Sequence, residues 1–150
     1  VVWGRDGNVP LTEARSRVTT GIMMGTSFLT GDDLSSPAGN YNEARERFNT
    51  LLGNSDIVAV AKLGVPFRPI SVKPGRVCSD AYVLESGDET YIALFNLSGE
   101  KSTVSADVSR YDIKDCIGRE LWRNAMVQAE GGKVSFELDP HDSAVIKLGR

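Results

Sequence analysis

The stretch Ser27-Phe28-Leu29-Thr30-Gly31-Asp32-Asp33-Leu34 decides how the chain is read. A short apolar run climbs to a glycine, and two adjacent carboxylates follow. Helix-like patterns lie on both sides, so the stretch reads as a strand and the loop that leaves it. In α/β folds the loops after strands are where ligands bind. Asp32 and Asp33 are therefore the first candidates for a functional role.

Working outward toward the amino terminus, Ala14, Val18 and Ile22 recur at four-residue spacing with Met23 beside them, which predicts one buried helical face. Thr12 is the expected N-cap, with Glu13 in the first turn, and Gly25 the expected stop. Arg15 and Arg17 fall elsewhere on the helical wheel and are expected in ion pairs or at the surface. Val1-Val2-Trp3 reads as the tail of another strand, followed by a turn-rich loop to Pro10.

Toward the carboxyl terminus, residues 35–40 carry turn chemistry, and a second helix fits Asn42 to about Leu52. Gly53-Asn54 closes it, and Ser55-Asp56 can cap a short apolar turn. Pro66, Pro69 and Pro74 then make a helix impossible and a central strand awkward, so 64–76 reads as a crossing. Beyond it the pattern is β throughout. Strands are expected at Ala81–Leu84, Thr90–Leu97, Ser102–Val108, Tyr111–Cys116, Glu120–Trp122, Ala125–Ala129, Val134–Leu138 and Ala144–Leu148. Turn signals between short strands at this spacing indicate an antiparallel sandwich. The run Thr90–Leu97 is apolar enough to be covered on both faces.

Composition narrows the function classes. The 150 residues carry a formal net charge of −3 and no basic run, which disfavours a nucleic-acid backbone as partner. No apolar stretch approaches the roughly 20 residues of a membrane span. Val1-Val2-Trp3 is not a signal peptide and lacks an initiator Met, so the chain is expected to be a piece of a longer protein. Cys78 and Cys116 are expected as reduced, structural thiols. One histidine, His141, is present, and no Cys/His spacing fits a zinc site. No cofactor and no metal ligand are assigned.

The ordered series resembles a known family. Phe28-Leu29-Thr30-Gly31-Asp32-Asp33-Leu34 looks like the eighth barrel strand and the Gly-Asn/Asp-Asp-Leu signature of the α-galactosidase/melibiase glycoside hydrolases. Leu11-Thr12-Glu13-Ala14-Arg15 looks like the start of their seventh barrel helix, and residues 54–60 like the stretch after the eighth. Tyr91-Ile92-Ala93-Leu94-Phe95-Asn96-Leu97, Glu120-Leu121-Trp122 and the run 138–148 resemble strands of their carboxyl-terminal β domain. The resemblance implies an α+β chain: residues 1–64 as the end of a (β/α)₈ barrel, 65–76 as a crossing segment, and 77–150 as an antiparallel β-sandwich. It also implies a retaining glycosidase as parent, in which two carboxylates do the chemistry. The family places those aspartates on the fourth and sixth strands, which this sequence does not contain. No catalytic residue is assigned, and the chain is expected to be inactive alone.

Several residues invite sharper readings. Asp32 and Asp33 are adjacent, so their side chains point apart; loop-fixing is preferred, with a place on the pocket rim of the intact enzyme as the alternative. Trp3, at a strand end, is the third pocket-rim candidate, whereas Trp122 is expected to be buried. His141 is expected in a turn between the last two strands. Asn96-Leu97-Ser98 matches the N-glycosylation pattern. For the intact enzyme the resemblance implies an α-linked galactoside or related glycan as partner, in a secreted or periplasmic setting. A carbohydrate-binding module and a structural or interaction domain are the competing readings. The apolar barrel face (Val18, Ile22, Met23, Phe28, Phe48) is expected to pack onto the sandwich in a non-barrel arrangement or to be buried in a homo-oligomer.

Overall fold

The structure is a computed structural model that describes residues 9–26, 41–70 and 78–149, with 41–44 described in backbone only. Three helices precede the sheet: α1 (Leu11–Met23), α2 (Tyr41–Leu52) and α3 (Ser55–Lys62). The expected barrel strand around Phe28 lies outside the described residues, as do Trp3, Asp32 and Asp33.

Helix α1 starts two residues earlier than expected. Pro10 occupies the N-cap with φ −55° and makes no side-chain cap, so Thr12 sits in the first turn instead. A proline before the first turn presets the backbone where the helix has no partner for an N–H. The periodicity holds: Ala14, Val18 and Ile22 are buried, with Thr19 beside them. Gly25 ends the helix at φ +65°, and a Cβ there would lie 2.6 Å from the Pro66 nitrogen. The Phe67 amide donates to the Met23 carbonyl at 2.8 Å, tying the helix end to the crossing segment. Only glycine allows both that backbone turn and that approach.

The short turn expected after Asn54 is a full helix. Asn54 is its N-cap, and its side-chain oxygen accepts from the Asp56 and Ile57 amides at 3.1 and 3.2 Å. Its Nδ2 donates to the Leu121 carbonyl at 3.0 Å, so the cap also anchors α3 to the sheet.

Eight strands follow: β1 (Arg68–Pro69), β2 (Ala81–Ser86), β3 (Glu89–Phe95), β4 (Ser102–Asp107), β5 (Cys116–Glu120), β6 (Ala125–Glu130), β7 (Lys133–Leu138) and β8 (Ser143–Gly149). They pair antiparallel in the order β1-β2-β3-β8-β5-β6-β7-β4. The sheet curls so that β4 comes against β3 and β7 against β8. Val104, Ala106, Val134 and Leu138 thereby pack with Ile92, Leu94 and Ile146 in one core. The proline at Pro69 falls on the edge strand, where a missing N–H costs least.

Two expected strands are placed differently. Residues Ser109–Tyr111 form a 3₁₀ turn, and Asp112 turns left-handed at φ 59°, so the next strand begins only at Cys116. Glu120 ends that strand rather than starting one. Residues 121–124 turn tightly into β6, with Asn124 at φ 53°.

Strands β3 and β8 are covered on both faces. Ile92, Leu94, Ala144, Ile146 and Leu148 point into the sandwich core. Tyr91, Ala93, Phe95 and Val145 point the other way, into a second core shared with Ala14, Val18, Ile22, Leu51, Ile57 and Val60. The molecule is thus a sandwich with a helical layer on one sheet, an α+β chain dominated by antiparallel structure. Burying Val18 and Ile22 stabilises that layer by roughly 3–6 kcal/mol.

Candidate functional site: the helix–sheet junction

The polar residues that the fold concentrates are those joining α1 to the sheet. Asp142, in the turn before β8, is 1% exposed and lies between two arginines. Arg15 from α1 donates to both carboxylate oxygens, at 2.7 and 2.8 Å. Arg123, from the β5–β6 turn, donates to Oδ2. Arg123 also meets the Ser143 carbonyl at 3.2 Å and stacks over the Phe136 ring. Its other acidic partner is Glu120, fully buried, at 3.3 Å.

Glu120 has a second task. Its oxygens accept from the Trp122 amide at 3.1 Å, the Arg123 amide at 2.7 Å and the Val145 amide at 3.1 Å. That pattern fixes the tight turn and ties it to β8. Two arginines and two carboxylates balance in charge, and the buried carboxylates are saturated with donors, which is what makes their burial tolerable.

A line of hydroxyls continues the junction. Thr19 Oγ1 lies 2.9 Å from Ser143 Oγ and accepts from Trp122 Nε1 at 3.0 Å. Ser16 Oγ donates to the His141 carbonyl at 2.8 Å. Trp122, expected to be buried, is half-buried because its indole N–H reaches across to α1. His141 occupies the turn between β7 and β8 at φ 55°, and its main chain makes the bonds: its amide donates to the Ser98 carbonyl at 3.2 Å. Arg15 and Arg17 are both in ion pairs, as expected, one within the junction and one in an exposed pair with Glu13 at 2.6 Å. None of the pocket-rim candidates, Trp3, Asp32 and Asp33, lies within the described residues.

Elsewhere the titratable groups are set by local packing. Burial, and then the Glu89 carboxylate that its hydroxyl meets, push Tyr91 up to about 12. Lys147 and Tyr91 together hold Glu89 below its ordinary value. Burial raises the Cys116 thiol, with Asp115 adding to the effect; Cys78 and Cys116 are both free.

The sequon at Asn96 is a structural element. Asn96 is 3% exposed, and Nδ2 donates to the carbonyls of Glu100, Leu138 and Asp139 at 2.7, 3.2 and 2.9 Å. Its Oδ1 accepts from the Ser98 amide and hydroxyl at 3.0 and 2.7 Å. The nitrogen that would carry a glycan is enclosed by carbonyls and joins the loop after β3 to the end of β7.

With the geometry in place, the likenesses to known proteins can be set beside it. Residues 81–148 match the model of the α-galactosidase C-terminal β-sandwich domain. No curated protein matches the sequence. Among solved structures, the chain is similar to a GH27 β-L-arabinopyranosidase from Geobacillus stearothermophilus, with 23% identity and a TM-score of 0.76 over 97% of this chain and 32% of that one. It is similar to α-galactosidase I from Mortierella vinacea, with 14% identity and a TM-score of 0.74 over 98% of this chain and 38% of that one. It is also similar to an isomalto-dextranase from Arthrobacter globiformis, with 18% identity and a TM-score of 0.69 over 94% of this chain and 24% of that one.

The sequence likeness to the α-galactosidase C-terminal β-sandwich domain thus falls on the β part of the chain, residues 81–148. The resemblance of the whole chain to the carboxyl-terminal part of α-galactosidase/melibiase glycoside hydrolases is shown by that match together with the fold. The chain spans about a third of the length of the first two solved structures. Helices α1 and α3 pack on the outer face of β3 and β8 through Ala14, Val18, Ile22, Ile57 and Val60.

Replacing Asn96 by Ala is expected to destabilise the chain by about 1–3 kcal/mol, because three carbonyls and the Ser98 amide lose their partner. Urea unfolding measures the loss. Ser98→Ala, which destroys the sequon but leaves the Asn96 amide in place, is expected to cost much less.

Proposed function

We propose that this chain is the carboxyl-terminal part of a retaining glycoside hydrolase that acts on α-linked galactosides, and that it catalyses nothing by itself. The observation that carries the reading is the match of residues 81–148 to the α-galactosidase β-sandwich domain, with a helix seated on that domain. A retaining glycosidase needs two carboxylates flanking one glycosidic bond. The acidic residues buried in the described part, Glu120 and Asp142, are committed to amides and arginines. They hold the junction together, and neither of the two is free to meet a sugar.

A carbohydrate-binding reading of the sandwich finds little support. Sugar platforms are exposed aromatic faces, and the aromatic side chains described between Phe48 and Phe136 are all buried or half-buried. The structural reading has a specific observation in its favour. An open groove of about 340 Å³ lies between the helices, lined by Val18, Ile22, Phe48, Leu51, Leu52 and Ile57. In the parent enzyme this face is where the rest of the barrel would pack. In the chain alone we propose that a second copy covers it, since exposed apolar area of this size tends to find a partner.

The purified chain is expected to release no nitrophenol from a nitrophenyl α-galactoside above the buffer rate. Turnover that disappears on replacing Asp32 or Asp33 would refute the assignment. Light scattering is expected to return a mass of at least two copies; a monomer whose first 60 residues resist protease would exclude the self-association.

A further inference from the structure

We propose that the Arg15–Asp142 ion pair is the latch that seats α1 on the sheet, and that α1 leaves the sandwich as a unit when the latch is cut. The first reason is that α1 has little stability of its own. It lacks a side-chain N-cap and has no basic residue in its last turn. Val18, Thr19, Thr20 and Ile22 are β-branched, and Gly21 sits among them, all of which weaken an isolated helix. A helix of 13 residues with that composition depends on what it packs against.

The second reason is that the inner core of the sandwich is built without α1. The core between the curled halves of the sheet contains no α1 residue. Helix α1 contributes to the other core, on the outer face of β3 and β8. Loss of α1 therefore uncovers that outer face and leaves the inner core packed.

The third reason is where the polar contacts fall. Arg15, Ser16 and Thr19 all reach the same short stretch, 141–143, at the start of β8. Of these, only Arg15 makes two bonds to a buried charge. Its removal leaves Asp142 with the Arg123 guanidinium and the Ser143 amide, and leaves two hydroxyls, of Ser16 and Thr19, as the polar contacts from α1 to that stretch. The far end of α1 is held separately, through Met23 and Phe67.

The latch itself can be tested on this chain without reference to any activity, so its failure and the failure of the enzymatic reading are separable.

Amide hydrogen exchange followed by mass spectrometry decides it. In Arg15→Met, residues 14–22 are expected to exchange at least tenfold faster, while residues 125–138 stay within threefold of the unaltered chain. Asp142→Asn, which keeps the side-chain shape and removes the charge, is expected to quicken residues 14–22 as well; because it also unpairs Arg123, the comparison with residues 125–138 is read in Arg15→Met. The indole N–H of Trp122, donated to Thr19, supplies an independent spectroscopic signature: its exchange, followed by NMR, is expected to quicken in step with residues 14–22. Unchanged exchange over 14–22 would overturn the proposal. So would acceleration of 14–22 and 125–138 by the same factor, which would reduce the pair to a contribution to global stability.

Discussion

One buried carboxylate, Asp142, is held between two guanidinium groups that come from different layers of the molecule. Arg15 approaches from the helix and Arg123 from the turn between β5 and β6. A carboxylate so enclosed is expensive to leave unpaired, so helix, turn and strand must arrive together for any of them to be satisfied. Pairs of this kind are often no more stabilising than well-packed apolar residues of the same size. What they contribute is a single permitted geometry. The apolar contacts of Val18 and Ile22 attract α1 to the sheet, and the charges decide where on the sheet it rests.

That placement is possible because β3 and β8 are apolar on both faces. Their alternation divides the side chains between two cores, Ile92 and Leu94 into the sandwich and Tyr91, Ala93 and Phe95 toward the helices. A sandwich that stood alone would need a polar outer face on these strands. This one carries an apolar face because a helical layer is part of its structure. The same logic explains Asn54, which caps α3 and bonds the Leu121 carbonyl in one step, and Gly25, which lets the end of α1 touch the Pro66 backbone.

Much of this was legible in the order of residues, because it depends on local periodicity. The Ala14-Val18-Ile22 spacing marked the buried face of α1, and the unbroken apolar run of β3 marked a strand covered twice. Helix ends and turns were read less well. Pro10 took the cap expected of Thr12, and Asp112 turns left-handed where a strand was expected. These outcomes depend on single backbone angles that short polar residues adopt only when the tertiary fold demands it. The junction was not visible at all. Arg15 and Asp142 are 127 residues apart, and no local signal joins them; Glu120, placed at the start of an expected strand, is instead the buried acceptor that ends one. The candidate rim residues Trp3, Asp32 and Asp33 were chosen from the family resemblance and lie outside the described residues.

The account stands or falls on whether Asp142 and its arginines act as one unit. A double-mutant cycle between Arg123 and Asp142, read by urea unfolding, measures this directly. Asp142→Asn alone is expected to cost about 3 kcal/mol, because it leaves two partly buried cations without their shared anion. Adding Arg123→Met is expected to cost far less than it does in the unaltered chain, giving a coupling above about 1 kcal/mol. Costs that add to within about 0.5 kcal/mol would mean that the two residues are neighbours without being partners. The junction would then be an apolar contact with charges at its margin.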